Sequence, residues 1–179
     1  MVKDRNILIR GRPRSGKSTL IQRLMQELKN GGKMVGGIST PELREGKSRV
    51  GFEIVDIFTG RRGILAHQAQ REGAAVGKYR VNLHDLNEVG TYAIDQALER
   101  DMEVVIIDEI GKMELVSKQF QAAVWKALDA KKVVGTIGLI SHPFVSRVFE
   151  RSDLEVIDLT PQTREEIYEQ VKILVFKKN

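Results

Sequence analysis

The sequence predicts an α/β fold, a mostly parallel central sheet with helices on both faces. Three observations carry that prediction. Short β-branched runs alternate with segments of helical period along the chain. Two of the runs, Asn6-Ile7-Leu8-Ile9-Arg10 and Val104-Val105-Ile106-Ile107-Asp108-Glu109, have continuous apolar centres, as strands covered on both sides do. A glycine-containing stretch joins the first run to the first helical segment, at the strand end where open parallel sheets take their ligands.

That joining stretch is Gly11-Arg12-Pro13-Arg14-Ser15-Gly16-Lys17-Ser18-Thr19. It fits G-x-x-x-x-G-K-[ST], the phosphate-binding P-loop. The spacing has a chemical reason. A tight turn aims successive backbone N–H groups inward at phosphate oxygens, and the following helix adds its unpaired N–H groups and the positive end of its dipole. Lys17 is placed to neutralise β- and γ-phosphates, and the Ser18 hydroxyl to ligate Mg²⁺.

The remaining elements follow in order. Leu20, Ile21, Leu24, Met25 and Leu28 recur at helical spacing, and Asn30-Gly31-Gly32 ends that helix. Met34 to Thr40 reads as a strand closed by Pro41. Arg44-Glu45-Gly46-Lys47 is a turn signal, Val50 to Phe58 alternates like a half-buried strand, and Thr59-Gly60 turns the chain into Arg61 to Ala66. This segment, about 43–66, predicts an antiparallel hairpin insertion overhanging the site and carrying Arg44, Arg49, Arg61 and Arg62. Residues 67–76 lack a period and read as a mobile loop. A short strand over Gly77–Asn82 precedes a helix from about Leu86 to Arg100, with Ala93, Ile94 and Ala97 on its apolar face. After the Val104 strand come a helix from Ser117 to Ala130, a strand from Lys132 to Ile137, a short helix from Pro143 to Arg151 and a strand from Leu154 to Leu159. Thr160 is the expected cap of a last helix, with Pro161 at its first position and Glu165 and Glu166 in its first turn.

Composition sets the outer limits. At 179 residues the expectation is a single domain over 1–179 with a full core. No apolar run reaches the length of a membrane span, and Met-Val-Lys-Asp-Arg lacks the apolar core of a signal peptide, so a cytoplasmic setting is expected. The absence of Cys excludes disulfides and thiol catalysis. His67, His84 and His142 do not have metal-ligand spacing. The net charge of +5 suits polyphosphate substrates and, as a second possibility, nucleic acid.

Asp108 and Glu109 close the second buried run. An acid there can hold Mg²⁺ or one of its waters opposite Ser18, which is the Walker B role. An acid directly after it is the usual device for orienting or deprotonating an attacking water, which suits hydrolysis better than phosphoryl transfer to an alcohol. The structural alternative is that both merely cap the following turn.

The stretch Ile107-Asp108-Glu109-Ile110-Gly111-Lys112-Met113-Glu114-Leu115 closely resembles the signature of a small nucleoside-triphosphatase family, sometimes called cancer-related nucleoside-triphosphatase. Gly51-Phe52, Val76-Gly77-Lys78-Tyr79, Gly135-Thr136-Ile137 and Pro143-Phe144-Val145 extend the similarity over nearly the whole chain. The resemblance implies a RecA-like P-loop fold and slow, Mg²⁺-dependent hydrolysis of ATP, GTP, CTP and UTP to diphosphates, with loose base selectivity. Gly11 to Thr19, Asp108 and Glu109 would bind the nucleotide, and Ser18 and Asp108 the metal. Lys17, Glu109 and Thr136 would serve catalysis. One departure is Arg14, where family loops usually have Gly; if the position needs a positive φ, the side chain costs about 1 kcal/mol and is expected to point to solvent.

Some assignments stay open at this level. Thr136 ends a strand expected between the P-loop and Walker B strands, and either senses the γ-phosphate or caps the next turn. Lys112 contacts phosphate or pairs with Glu114. Arg49, Arg62, Arg147 and Arg151 are candidates for an arginine that neutralises the transition state. The alternatives to hydrolysis are a nucleotide or small-molecule kinase, with the Arg-rich hairpin as lid, and a nucleotide-dependent switch that binds nucleic acid. Base preference and oligomeric state have no signature in the sequence.

Overall fold

The structure, a computed structural model, describes residues 5–177; the charged start from Met1 to Asp4 lies outside them. One sheet runs through the molecule. Its parallel part has the order β10 (Leu154–Asp158), β1 (Asn6–Arg10), β9 (Val133–Ile137), β8 (Val104–Ile110) and β2 (Val35–Ser39). These five strands pair parallel throughout. β9 thus stands between β1 and β8, as expected for a RecA-like sheet, and the carboxyl ends of β1 and β8 share one edge.

Two helix layers cover this part. α1 (Lys17–Asn30) and α6 (Arg164–Phe176) lie on one face, where Leu20, Leu24 and Leu28 meet Ile167, Val171 and Val175 over Ile7, Ile9, Ile106 and Val134. α3 (Tyr92–Glu99), α4 (Lys118–Asp129) and α5 (Pro143–Phe149) take the other, packing Ile94, Ala97, Phe120, Val124 and Val148 against Leu8, Val105, Ile107 and Val133. The odd and even positions of β1 and β8 therefore serve different cores, which explains why neither strand alternates in polarity. Asn6 is fully buried and bridges the layers: its amide donates to the Leu128 carbonyl (2.9 Å) and its side-chain oxygen accepts from Val133 N–H (3.1 Å).

The antiparallel segment is larger than the expected hairpin. β3 (Glu42–Glu45), β4 (Ser48–Asp56), β5 (Arg62–His67), β6 (Ala75–Val76) and β7 (Tyr79–Val81) continue the sheet beyond β2 in the order β4-β5-β7-β6, with β3 on β4. β4 pairs with β2 only near its own end, Ile38 with Asp56 and Ser39 with Val55. The rest of β4, with β3, projects past the carboxyl ends of the parallel strands, on the same side as the P-loop. Two sequence expectations are corrected here. Arg44 and Glu45 belong to β3, and the turn is confined to Gly46-Lys47 because only Gly46 has a positive φ (59°). Residues 67–76 begin in β5 and end in β6, and Val81 N–H ties to the Ala74 carbonyl at 2.9 Å.

Between β7 and β8, α2 (Leu83–Asp85), a π-helical stretch Leu86–Thr91 and α3 form one continuous rod, longer than the helix read from periodicity. Asn82 caps it by accepting from Asp85 N–H at 3.1 Å. Ser117 caps α4 in the same way, accepting from Phe120 N–H at 3.0 Å. The last helix departs from expectation. Thr160 and Thr163 close a turn on each other, with Thr160 N–H donating to Thr163 Oγ1 (3.1 Å) and Thr163 N–H to the Thr160 carbonyl (3.2 Å). That local satisfaction delays the helix, so Thr163 and not Thr160 is its N-cap and Arg164, not Pro161, its first residue.

Candidate active site

The P-loop leaves β1 through a narrow passage. A Cβ on Gly11 would lie 2.7 Å from Ser15 Oγ and 2.8 Å from the Leu159 carbonyl, so only glycine fits. Ser15 N–H then donates to the Arg12 carbonyl at 3.1 Å. Two residues adopt left-handed backbone, Arg14 with φ 63° and Gly16 with φ 106°. Gly16 does so freely and is the N-cap of α1. Arg14 carries a cost of about 1 kcal/mol, and its exposed side chain makes no hydrogen bond or ion pair among the described residues to offset it. The turn thus needs left-handed backbone where the sequence has Arg.

Lys17 is buried and folds back over the loop, its Nζ donating to the Gly11 carbonyl (2.9 Å) and the Arg12 carbonyl (3.1 Å). The ammonium is therefore held at the loop mouth. Leu20 N–H is bonded to the Gly16 carbonyl, so the N–H groups of Lys17, Ser18 and Thr19 have no acceptor within the helix. Arg12, Pro13, Ser18 and Thr19 are exposed around this mouth.

β8 brings the acids to the same edge. Asp108 is 3% exposed, and its Oδ1 accepts from Ser18 Oγ at 3.1 Å and from Thr136 Oγ1 at 2.7 Å. Its carbonyl accepts from Thr40 Oγ1 at 2.9 Å. Burial pushes the Asp108 carboxyl up from the usual range, against the two hydroxyl bonds and the Lys17 charge. The Asp108–Glu109 peptide is cis. Glu109 is half-buried and is also raised, mainly by burial, with Lys17 pulling it back down. Glu114 is 5% exposed and pushed up to about 8, by burial first and by the Glu109 charge second. Gly111 separates the two: a Cβ there would lie 2.8 Å from Glu109 Oε1 and 2.9 Å from Glu114 Oε2.

Several sequence assignments change in this geometry. Lys112 is exposed and Glu114 buried, so of the two readings left open for Lys112 the surface pair with Glu114 does not form. Thr136, wholly buried, spends its hydroxyl on Asp108; it neither caps the next turn nor stands free toward a phosphate. The four candidate arginines are committed elsewhere. Arg49 bonds Tyr79 Oη and Glu42, and Arg62 bonds Glu53. Arg147 lies over the Trp125 ring, and Arg151 binds Asp129, Asp153 and the Leu128 carbonyl at the opposite edge of the sheet. The arginine that does reach the loop was not a candidate. Arg164, at the start of α6, donates to the Ser15 carbonyl (2.7 Å) and the Arg14 carbonyl (3.2 Å). No local pattern marks it, because its partners lie about 150 residues earlier. Thr40 was hidden likewise, as an ordinary strand end.

The donor set at Ser18 and Asp108 consists of hard oxygens, one of them a buried carboxylate whose negative charge is met, among the described residues, by Lys17 and two hydroxyls. That set fits Mg²⁺, which takes few protein oxygens and keeps several waters.

A P-loop at the end of a central parallel strand, with paired acids at the same edge two strands away, defines a P-loop nucleoside-triphosphatase. The sequence model of the NTPase family matches residues 6–172, and the chain belongs to that family. It is 41% identical over 166 residues to the nucleoside-triphosphatase THEP1 of Thermotoga maritima, covering 92% of each protein. Its fold superimposes on the crystal structure of THEP1 from Aquifex aeolicus with a TM-score of 0.81, at 32% identity over 95% of this chain and 98% of that one. The solution structure of a human cancer-related nucleoside triphosphatase gives 0.82, at 30% identity over 98% and 99%.

Proposed function

We propose that the protein hydrolyses nucleoside triphosphates to nucleoside diphosphates and phosphate, with Mg²⁺ held by Ser18 and Asp108 and with little discrimination among ATP, GTP, CTP and UTP. The observation that supports this best is the placement of Glu109. Its half-buried carboxylate follows the Asp108 that contacts Ser18, on the strand edge shared with Lys17. The N–H groups of the loop and of the first turn of α1 bind the phosphate chain, and Lys17 leaves its carbonyl partners to neutralise the β- and γ-oxygens. Glu109 takes a proton from water as the water oxygen bonds to the γ-phosphorus and the bond to the β–γ bridging oxygen breaks. Thr136 holds the Asp108 carboxylate in one orientation. When bound, Mg²⁺ supplies positive charge to the phosphates. Loose base selectivity follows from a site whose identified groups all address phosphate. A cytoplasmic setting goes with nucleotide substrates, and among the described residues no helix is long and apolar enough to cross a membrane.

The test is phosphate release from the four triphosphates with Mg²⁺, comparing the wild type with Glu109→Gln. Hydrolysis of all four, falling about a hundredfold or more in the variant while nucleotide binding persists, supports the reading. Equal release by both proteins removes Glu109 from the mechanism. Tight binding without release by the wild type overturns hydrolysis itself.

A further inference from the structure

Arg164 lies far in sequence from the loop it touches, and its contacts are specific. Nε donates to the Ser15 carbonyl at 2.7 Å and Nη2 to the Arg14 carbonyl at 3.2 Å, so one planar guanidinium holds two successive peptide oxygens. Those peptides lie between the two left-handed residues, Arg14 and Gly16, where the turn is least supported by local preference. The same side chain covers Gly16: a Cβ there would lie 2.6 Å from Nε, 3.1 Å from Cδ and 3.2 Å from Cζ.

The direction of these bonds matters for phosphate. In a trans peptide the carbonyl and the following N–H point opposite ways. Holding the Ser15 oxygen toward α6 therefore turns the Gly16 N–H toward the loop interior, where an anion is received. The arginine is itself held by the helix it starts. Glu165, its neighbour, pairs with Arg23 of α1 at 2.9 Å, and Arg23 lies 3.6 Å from the centre of the Tyr168 ring. Tyr168 and Lys172 both bond Glu27 of α1. The C-terminal helix and the P-loop helix form one unit, with Arg164 at the end that meets the loop.

We propose that Arg164 is a positioning residue that sets the P-loop backbone in its phosphate-receiving form before any nucleotide arrives. This rests on the reading of the loop as a triphosphate site. Its contribution goes to the phosphate chain and is blind to the base, because the contacts end on loop carbonyls.

The experiment measures the affinity of the intact protein for ADP and for inorganic pyrophosphate by calorimetry, well below the melting temperature of every variant. Arg164→Gln is expected to weaken both ligands by about tenfold or more, and to raise KM for ATP, GTP, CTP and UTP by a common factor. Arg164→Lys, which keeps one charged donor, is expected to recover part of the loss. Glu165→Gln breaks the neighbouring ion pair without touching the loop and is expected to leave both affinities unchanged. The Gly16 amide resonance of the ligand-free protein should move in Arg164→Gln and stay in Glu165→Gln. If Arg164→Gln lowers only the melting temperature and binds both ligands as the wild type does, the positioning role is overturned. The same follows if Arg164→Gln and Glu165→Gln weaken binding alike, since helix docking would then be the cause. If the wild type itself binds neither ligand, the triphosphate reading fails first, and this inference with it.

Discussion

The two halves of the sheet are built on different principles. In the parallel half, β1, β8 and β9 are buried almost end to end, and their buried polar side chains, Asn6, Asp108 and Thr136, are each hydrogen-bonded. In the antiparallel half, β4 mixes buried and half-exposed positions, and its charges pair across strands: Arg49 with Glu42 and Arg62 with Glu53. The first arrangement places a carboxylate where water cannot relax around it. The second leaves charges where water screens them. Polar side chains of the parallel half are therefore expected to control chemistry, and those of the antiparallel half to matter little one at a time.

The sharpest way to break this comparison is Thr136→Val. The substitution keeps shape and removes the 2.7 Å bond to Asp108. A hydrogen bond to a charged group is worth about 1.5–3 kcal/mol, so kcat/KM is expected to fall about tenfold or more, with weaker dependence on added Mg²⁺. Unchanged kinetics in a Mg²⁺ titration would make Thr136 an ordinary core residue.

Glu114 gives the next largest effect, on stability. Its folded pKa, pushed up to about 8, stands above the ordinary 4.5. The folded state thus holds a proton that the unfolded state has lost between those values. The stabilisation is complete below about pH 4.5 and is lost as pH rises through about 8. Glu114→Gln removes that titration. Thermal melts of the two proteins should nearly coincide at pH 4.5, and the variant should melt higher at pH 9, by an amount on the order of a few kcal/mol. Parallel pH curves for the two would show that Glu114 is not buried in solution as it is here.

Arg62→Gln is the smallest. The Arg62–Glu53 pair is 58% exposed on the arginine side, and its loss should leave denaturant melts almost unmoved and phosphate release unchanged. A large loss of activity would mean that the antiparallel half takes part in catalysis after all.

The same contrast explains what could be read from the chain. Gly11 to Ser18 and Val104 to Glu109 were legible because each packs its chemistry into a few consecutive residues whose backbone needs are local. The placing of the Thr136 strand between the two motif strands came from the expected RecA-like sheet, whereas β10 beside β1 had no signature. The five-stranded antiparallel extension was under-read: β7 showed as the short strand at Gly77–Asn82, but β6 has only two residues, and the charges of β3 read as part of a turn. Glu114 follows Met113 in a stretch that looks like a solvated loop; only the packing of Gly111 against two carboxylates shows otherwise. Thr160 has a cap's sequence, but Thr163 three residues on takes the role by binding it. Arg164 acts across the whole chain, and spacing rules see only neighbours.

The position of β1 between β10 and β9 has a consequence for the protein during its synthesis. During synthesis β1 cannot find either neighbour until residues 133–158 have emerged, and Arg164 follows after them. At synthesis rates of about 5–20 residues per second, the P-loop waits on the order of ten seconds before both neighbours of β1 have emerged. Nucleotide in the surrounding medium therefore cannot template the early chain. The loop gains its neighbouring strands and its Arg164 contacts only when the last part of the sheet is in place.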